Sequence, residues 1–119
     1  MKTRKTTKRL KRSQPRLTKA ELERLVDEAI VDCYNESEQA TGLYTMIEDN
    51  LHLPFETEVL GIRVTVTGVD ITEDDQIVAI RKRGGFTQKV PILELTLPTP
   101  RPVGFEWIDA YHHWARLSA

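Results

Sequence analysis

The sequence predicts a small α+β domain: an N-terminal helical hairpin, a small antiparallel SH3-like barrel or curled sheet, and a C-terminal capping helix. Three observations predict it. Apolar residues recur at helical period from Leu22 to Cys33. After Phe55 the period changes to two and holds through several short runs. A last amphipathic segment, FEWIDAYHHWARL, follows a proline-rich connector.

The chain begins with a segment that does not fit this plan. Residues 1–19 carry nine Lys/Arg and no Asp/Glu. The other hundred residues hold eight Lys/Arg against all 18 Asp/Glu, a net charge of −10. The formal charge of −1 therefore hides a basic arm joined to an acidic body. Like charges repel, and the arm has little apolar surface beyond Leu10 and Leu17 with which to offset its ordering entropy. Residues 1–17 are expected to be a disordered basic arm, and 18–119 a single domain.

The first helix opens at Thr18. Glu21 stands three residues on, the spacing of a capping box. Leu22, Leu25, Val26, Ala29, Ile30 and Cys33 then form one apolar stripe. The pattern predicts a helix running to about residue 38 and ended or broken by Gly42. A second short helix is expected over 43–51, stopping before Pro54.

The segments FETEVLG, IRVTVTGVDI, DQIVAIRKR and FTQKVPILEL read as strands. Ile62, Val64 and Val66 alternate with Arg63, Thr65 and Thr67, as in a half-buried antiparallel strand. Gly84 and Gly85 suit the positive φ of a tight hairpin. PTPRP, residues 98–102, is an extended connector. Trp107, Tyr111 and Trp114 share a face of the final helix and are expected to cap the core.

Composition removes several function classes. No run of about 18 apolar residues suggests a membrane span, and the basic N-terminus lacks the apolar core of a secretory signal. Cys33 is the only cysteine. That excludes an intramolecular disulfide or a thiolate zinc cluster and leaves a cytoplasmic location as the default. Asp109, His112 and His113 fall at i, i+3 and i+4, but adjacent histidines point about 100° apart on a helix and chelate poorly together. No nucleophile–base, phosphate-loop or paired-carboxylate arrangement stands out, so no enzyme is expected.

Carboxylates are the chemical feature that remains. Asp32, Glu36, Glu38, Glu48 and Asp49 lie within DCYNESEQATGLYTMIEDN, with Glu28 just upstream. On a continuous helix Glu28, Asp32 and Glu36 would form a like-charged row, which is mildly destabilising. Calcium takes six to eight oxygens at about 2.3–2.6 Å, and two helices with their turn could supply them. A solvated helix face is the ordinary reading of the same residues. The EF-hand loop pattern is absent, because Tyr34 and Ser37 occupy positions that need an oxygen ligand and a glycine. A second acidic group, Asp70 to Asp75, reads as a polar turn with weak cation-binding capacity.

Several strings resemble the CcbP-like family of bacterial calcium-binding proteins. They are E-x-E-Q at 36–39, M-I-E-D-N-L-x-L-P-F at 46–55, V-L-G at 59–61, P-I-L-E-L-x-L-P-x-P at 91–100 and E-W-I-x-A-Y-x-x-W at 106–114. The resemblance spans about residues 26–114. It implies a small α+β domain that binds Ca2+ through surface carboxylates without an EF-hand. The matched acidic positions are Glu36, Glu38, Glu48 and Asp49, with Asp32 beside them. The alternative is electrostatic, sequence-independent nucleic-acid binding by residues 1–17 and the Arg81–Arg83 hairpin.

Overall fold

The computed structural model describes residues 16–118 and is α+β, with three helices and one four-stranded antiparallel sheet. The elements in order are α1 (Lys19–Ala29), α2 (Glu36–Asn50), β1 (Phe55–Val59), β2 (Ile62–Ile71), β3 (Ile77–Arg83), β4 (Phe86–Pro91), a 3-10 turn (Ile92–Glu94) and α3 (Phe105–Ser118). The arm expected over 1–17 lies outside the described residues except for Arg16 and Leu17, which lead into α1. None of the described helices is long and apolar enough to cross a membrane.

The start of α1 follows the sequence reading. The Thr18 N–H donates to Glu21 Oε1 at 2.8 Å, and the Glu21 N–H donates to Thr18 Oγ1 at 3.1 Å. The Thr18 backbone N–H and, after it, the Thr18 hydroxyl favour the charged carboxylate and hold the Glu21 pKa below its ordinary value.

The end of α1 corrects it. The helix stops at Ala29 with Ile30 as its C-cap, and Asp32 takes a φ of +62°. Asp tolerates this left-handed region better than most residues, so it serves as a corner. Asn35 then caps α2, its side chain accepting the Glu38 N–H at 2.8 Å. The helix expected to reach residue 38 is thus two helices, and Glu28, Asp32 and Glu36 form no row.

Gly42 lies inside α2 and breaks nothing. A Cβ there would overlap the Ala29 carbonyl, so the absent side chain lets α2 pack directly on the end of α1. Helix propensity alone reads glycine as a stop; packing against a neighbour overrides it.

The sheet is a meander in the order β1-β2-β3-β4, not a closed barrel. Val59↔Ile62 brackets one hairpin and Arg83↔Phe86 another. Gly84 adopts a φ of +58° at the second, as the Gly-Gly turn predicts. The first places Leu60 at a φ of +53° and leaves it 97% exposed. The pairing register shifts between Val66 and Gly68, bending β2. β4 ends at Pro91, which has no N–H to extend the ladder. The strand expected to continue to Leu95 therefore turns into the 3-10 segment.

Helices and sheet share one core. Val26 and Ala29 of α1, Leu43 and Ile47 of α2, and Trp107, Ile108 and Tyr111 of α3 cluster with Val66, Ile77 and Ala79 of the sheet. The expected capping aromatics are there: Trp107 and Tyr111 are buried, and Tyr111 stacks on the partly buried Trp114 at 6.1 Å. Trp114 Nε1 donates to Gln39 Oε1 at 2.9 Å, tying α3 to α2.

Candidate metal centre

α2 carries four of the five carboxylates named above, but it separates them. Glu36 and Glu48 are twelve residues apart, about 18 Å along a helix rising 1.5 Å per residue. Asp32 sits before the helix, in the α1–α2 corner. The five therefore do not converge on one ion. Among the described residues, no group of three or more His, Cys, Asp or Glu side chains is placed to hold a metal ion.

The N-terminal carboxylates have structural duties. Glu38 Oε1 accepts the Tyr34 N–H at 2.7 Å, reciprocating the Asn35 cap. Glu36 and Glu38 both lie in the first turn, where the helix dipole favours negative charge. Ser37 donates to Asp75 Oδ1 at 3.2 Å and fastens this end of α2 to the β2–β3 turn.

The C-terminal end differs. Glu48 and Asp49 lie in the last turn, at the negative end of the helix dipole, and no basic residue offsets them. Tyr44, one turn back, donates its hydroxyl to Glu48 Oε2 at 2.9 Å and lies 3.5 Å from the Val69 carbonyl of β2. Burial, the Glu48 hydrogen bond and the charges of Glu48 and Asp70 push the Tyr44 pKa up to about 12. A carboxylate, a carbonyl and a phenol thus meet at the seam between α2 and β2, with the charge of Asp70 felt from the other face of β2. Asp49 is exposed and turned about 100° around the helix from Glu48.

Asp70 is itself already paired, on the sheet face turned away from α2. Lys89 Nζ lies 3.0 Å from Asp70 Oδ2 and, with the Ile71 N–H, holds the Asp70 pKa below its ordinary value. Sequence reading assigned Asp70 to the turn; it belongs to β2, and the turn spans residues 72–76. The Tyr44–Glu48 spacing of four was readable as one helix face. The approach of Asp70 and Lys89 depends on cross-strand register and had no local signal.

The other candidates are dispersed. Asp109 pairs with Arg101 at 3.1 Å and does not serve either histidine. His112 is exposed, while His113 is buried. Cys33 lies in the α1–α2 corner, half-buried near Gly42, and not on the α1 stripe. Alternation along β3 places Arg81 and Arg83 on one face and Lys82 on the other, so the hairpin offers no three-residue basic ridge.

The described residues form no closed cage of ligands at the seam. Calcium tolerates irregular oxygen geometry and retains water where protein ligands are few. The family model Calci_bind_CcbP, described as calcium binding, matches residues 23–115, nearly all of the described chain. No curated protein and no solved structure matches the chain. The match covers α1 from Glu23 onward, all of α2, the whole sheet and α3 up to Ala115, and the chain belongs to this calcium-binding family.

Proposed function

We propose reversible calcium binding, for buffering or sensing, through surface carboxylates at the α2–β2 seam. Glu48 supplies the charge at the seam with Asp49 beside it in the same last turn, the Val69 carbonyl a neutral oxygen, and Asp70 attraction from the other face of β2. Asp32, Glu36 and Glu38 add to the attractive field of the acidic body without joining the same ion. The observation that carries this reading is the convergence of Glu48, Tyr44 and Val69 oxygens at 2.9 and 3.5 Å, at a helix end without a basic residue. A cation there relieves repulsion between carboxylates and complements the helix dipole. The mode is not that of an EF-hand, since residues 30–35 joining α1 to α2 are shorter than the 12-residue calcium loop.

The test is a calorimetric calcium titration of the chelator-treated full chain, with magnesium in excess. Saturable heat with a Kd near or below about 10⁻⁴ M is expected. The Glu48→Gln, Asp70→Asn variant should weaken it about tenfold or more, about 1.4 kcal/mol. Heat equal to the magnesium background in the unmodified chain would remove the proposal.

A second reading keeps one observation in its favour. Arg81 and Arg83 share a face with Phe86, which is 80% exposed, so the hairpin pairs guanidinium charge with an aromatic surface. Nucleic acid docking on that face, helped by residues 1–17, would be electrostatic and strongly salt-dependent. Gel-shift measurements with a mixed-sequence oligonucleotide at low and physiological salt, with and without residues 1–17, test it. Binding that is lost with the arm supports it, and no shift at low salt overturns it.

A further inference from the structure

His113 is the one buried polar side chain, among the described residues, whose ring nitrogens both lack a hydrogen-bond partner. It is 6% exposed and sits on α3 facing α1. Glu23 of α1 approaches Nε2 only to 3.9 Å, beyond hydrogen-bond range. Leaving a buried imidazole unsatisfied costs about 1–3 kcal/mol, so the geometry calls for a further partner.

The surroundings indicate what that partner carries. His113 forms part of the wall of a recess of about 250 Å³ between the start of α1 and the end of α3. Arg16, Arg101, Arg116 and His112 line the same recess. Asp109 also lines it, but is paired with Arg101, whose guanidinium stacks 3.9 Å over Phe105. Three guanidiniums against one carboxylate leave the recess positive, within a body that is otherwise strongly acidic. Leu17 and Leu22 supply an apolar side.

We infer that this recess binds a phosphate-class oxyanion, with Arg116 and Arg16 contacting its oxygens and an N–H of His113 donating at the base. Guanidinium donors match phosphate oxygens in forked geometry. A neutral imidazole retains one N–H, so donation does not require its protonation. The phosphate has two possible sources. It could belong to a small phosphorylated molecule, or to a polynucleotide backbone, since Arg16 leads directly into residues 1–15 with their seven Lys/Arg. The site lies on the α1–α3 side and is independent of the calcium proposal.

The experiment follows the imidazole nitrogen resonances of the full-length, calcium-free chain by NMR at fixed pH and constant ionic strength. Inorganic phosphate is the first probe and a thymidine trinucleotide the second. Saturable shifts of His113 are expected, weakened about tenfold in Arg116→Gln, the loss of one charge-assisted contact. Arg116 is exposed, and an unchanged amide spectrum confirms that the variant is folded. Saturation by phosphate identifies a small-molecule source; saturation by the trinucleotide alone identifies backbone phosphate. Both outcomes support the site. No saturable His113 shift with either probe up to about 10 mM, or shifts indifferent to Arg116→Gln, overturns it.

Discussion

The two ends of α2 carry nearly the same charge and have opposite electrostatics. At the N-terminal end Glu36 and Glu38 meet the positive pole of the helix, and Glu38 closes a hydrogen-bonded cap with Asn35 and the Tyr34 N–H. At the C-terminal end Glu48 and Asp49 meet the negative pole with no basic residue in the turn. Asp70, on the other face of β2, adds a negative charge felt at Tyr44 and is paired with Lys89. The same residue type therefore caps and is compensated at one end and has no basic residue to offset it in the turn at the other. Counting carboxylates in a sequence cannot make this distinction; their position on a helix with known ends can.

The comparison depends on α2 being held in place, and the most disruptive change acts there. Gly42→Ala pushes a methyl group into the Ala29 carbonyl and should destabilise the domain by about 2 kcal/mol, read by urea unfolding. Calcium affinity should fall as well, because the seam shifts with the helix. A stability equal to that of the unmodified protein would mean that α1 and α2 do not touch at this point.

Removing the N-terminal cap separates the two ends. Asn35→Ala should cost about 1 kcal/mol of stability and lower Tm, while leaving calcium affinity unchanged. A calcium Kd that moves with Asn35 would erase the distinction between the ends.

Lys89→Met sharpens the comparison from the other side. On the proposed reading Lys89 offsets the pull of Asp70 on calcium, so its removal should tighten calcium binding by a few-fold at most, as for an exposed pair. It should also alter acid behaviour. The folded Asp70 pKa lies below its ordinary value, so its contribution is complete above the unfolded pKa of 3.8 and is lost as pH falls through the folded value. Lys89→Met should flatten stability over that acidic window, lowering it slightly near neutrality and leaving it unchanged below the folded pKa. Unfolding curves at stepped pH check this.

The smallest effect is expected from Glu38→Gln. It keeps an acceptor for Tyr34 but loses the charge favoured by the helix dipole, costing about 0.5 kcal/mol by chemical denaturation with calcium binding intact.

What was legible in the sequence follows the range of the interactions. The Thr18–Glu21 capping box, the strand runs up to Pro91 and the Arg83–Phe86 hairpin are set by residues a few positions apart, and each stands where local pattern puts it. Asp32 as a corner and Gly42 as a packing residue were not legible. Each depends on the close approach of α1 and α2, and local propensity points the other way. The barrel expectation failed for a related reason. Alternation fixes which residues face the core, but not whether helices or strand closure cover it, and here three helices do. At the candidate site Glu48 and Asp49 were readable as carboxylates. Tyr44 stands one helical turn from Glu48 and was readable with it, whereas the Val69 carbonyl and the Asp70–Lys89 pair depend on the packing of α2 on the sheet and on cross-strand register.

The central claim is that the C-terminal end of α2, not its N-terminal end, attracts calcium. Backbone amide NMR of the full chain during a calcium titration tests it most directly. Saturable shifts confined to residues 44–50 and 69–71, with 35–39 unmoved, are the predicted result. Saturable shifts centred on 35–39 with the seam silent would contradict the account and return the site to Glu36 and Glu38.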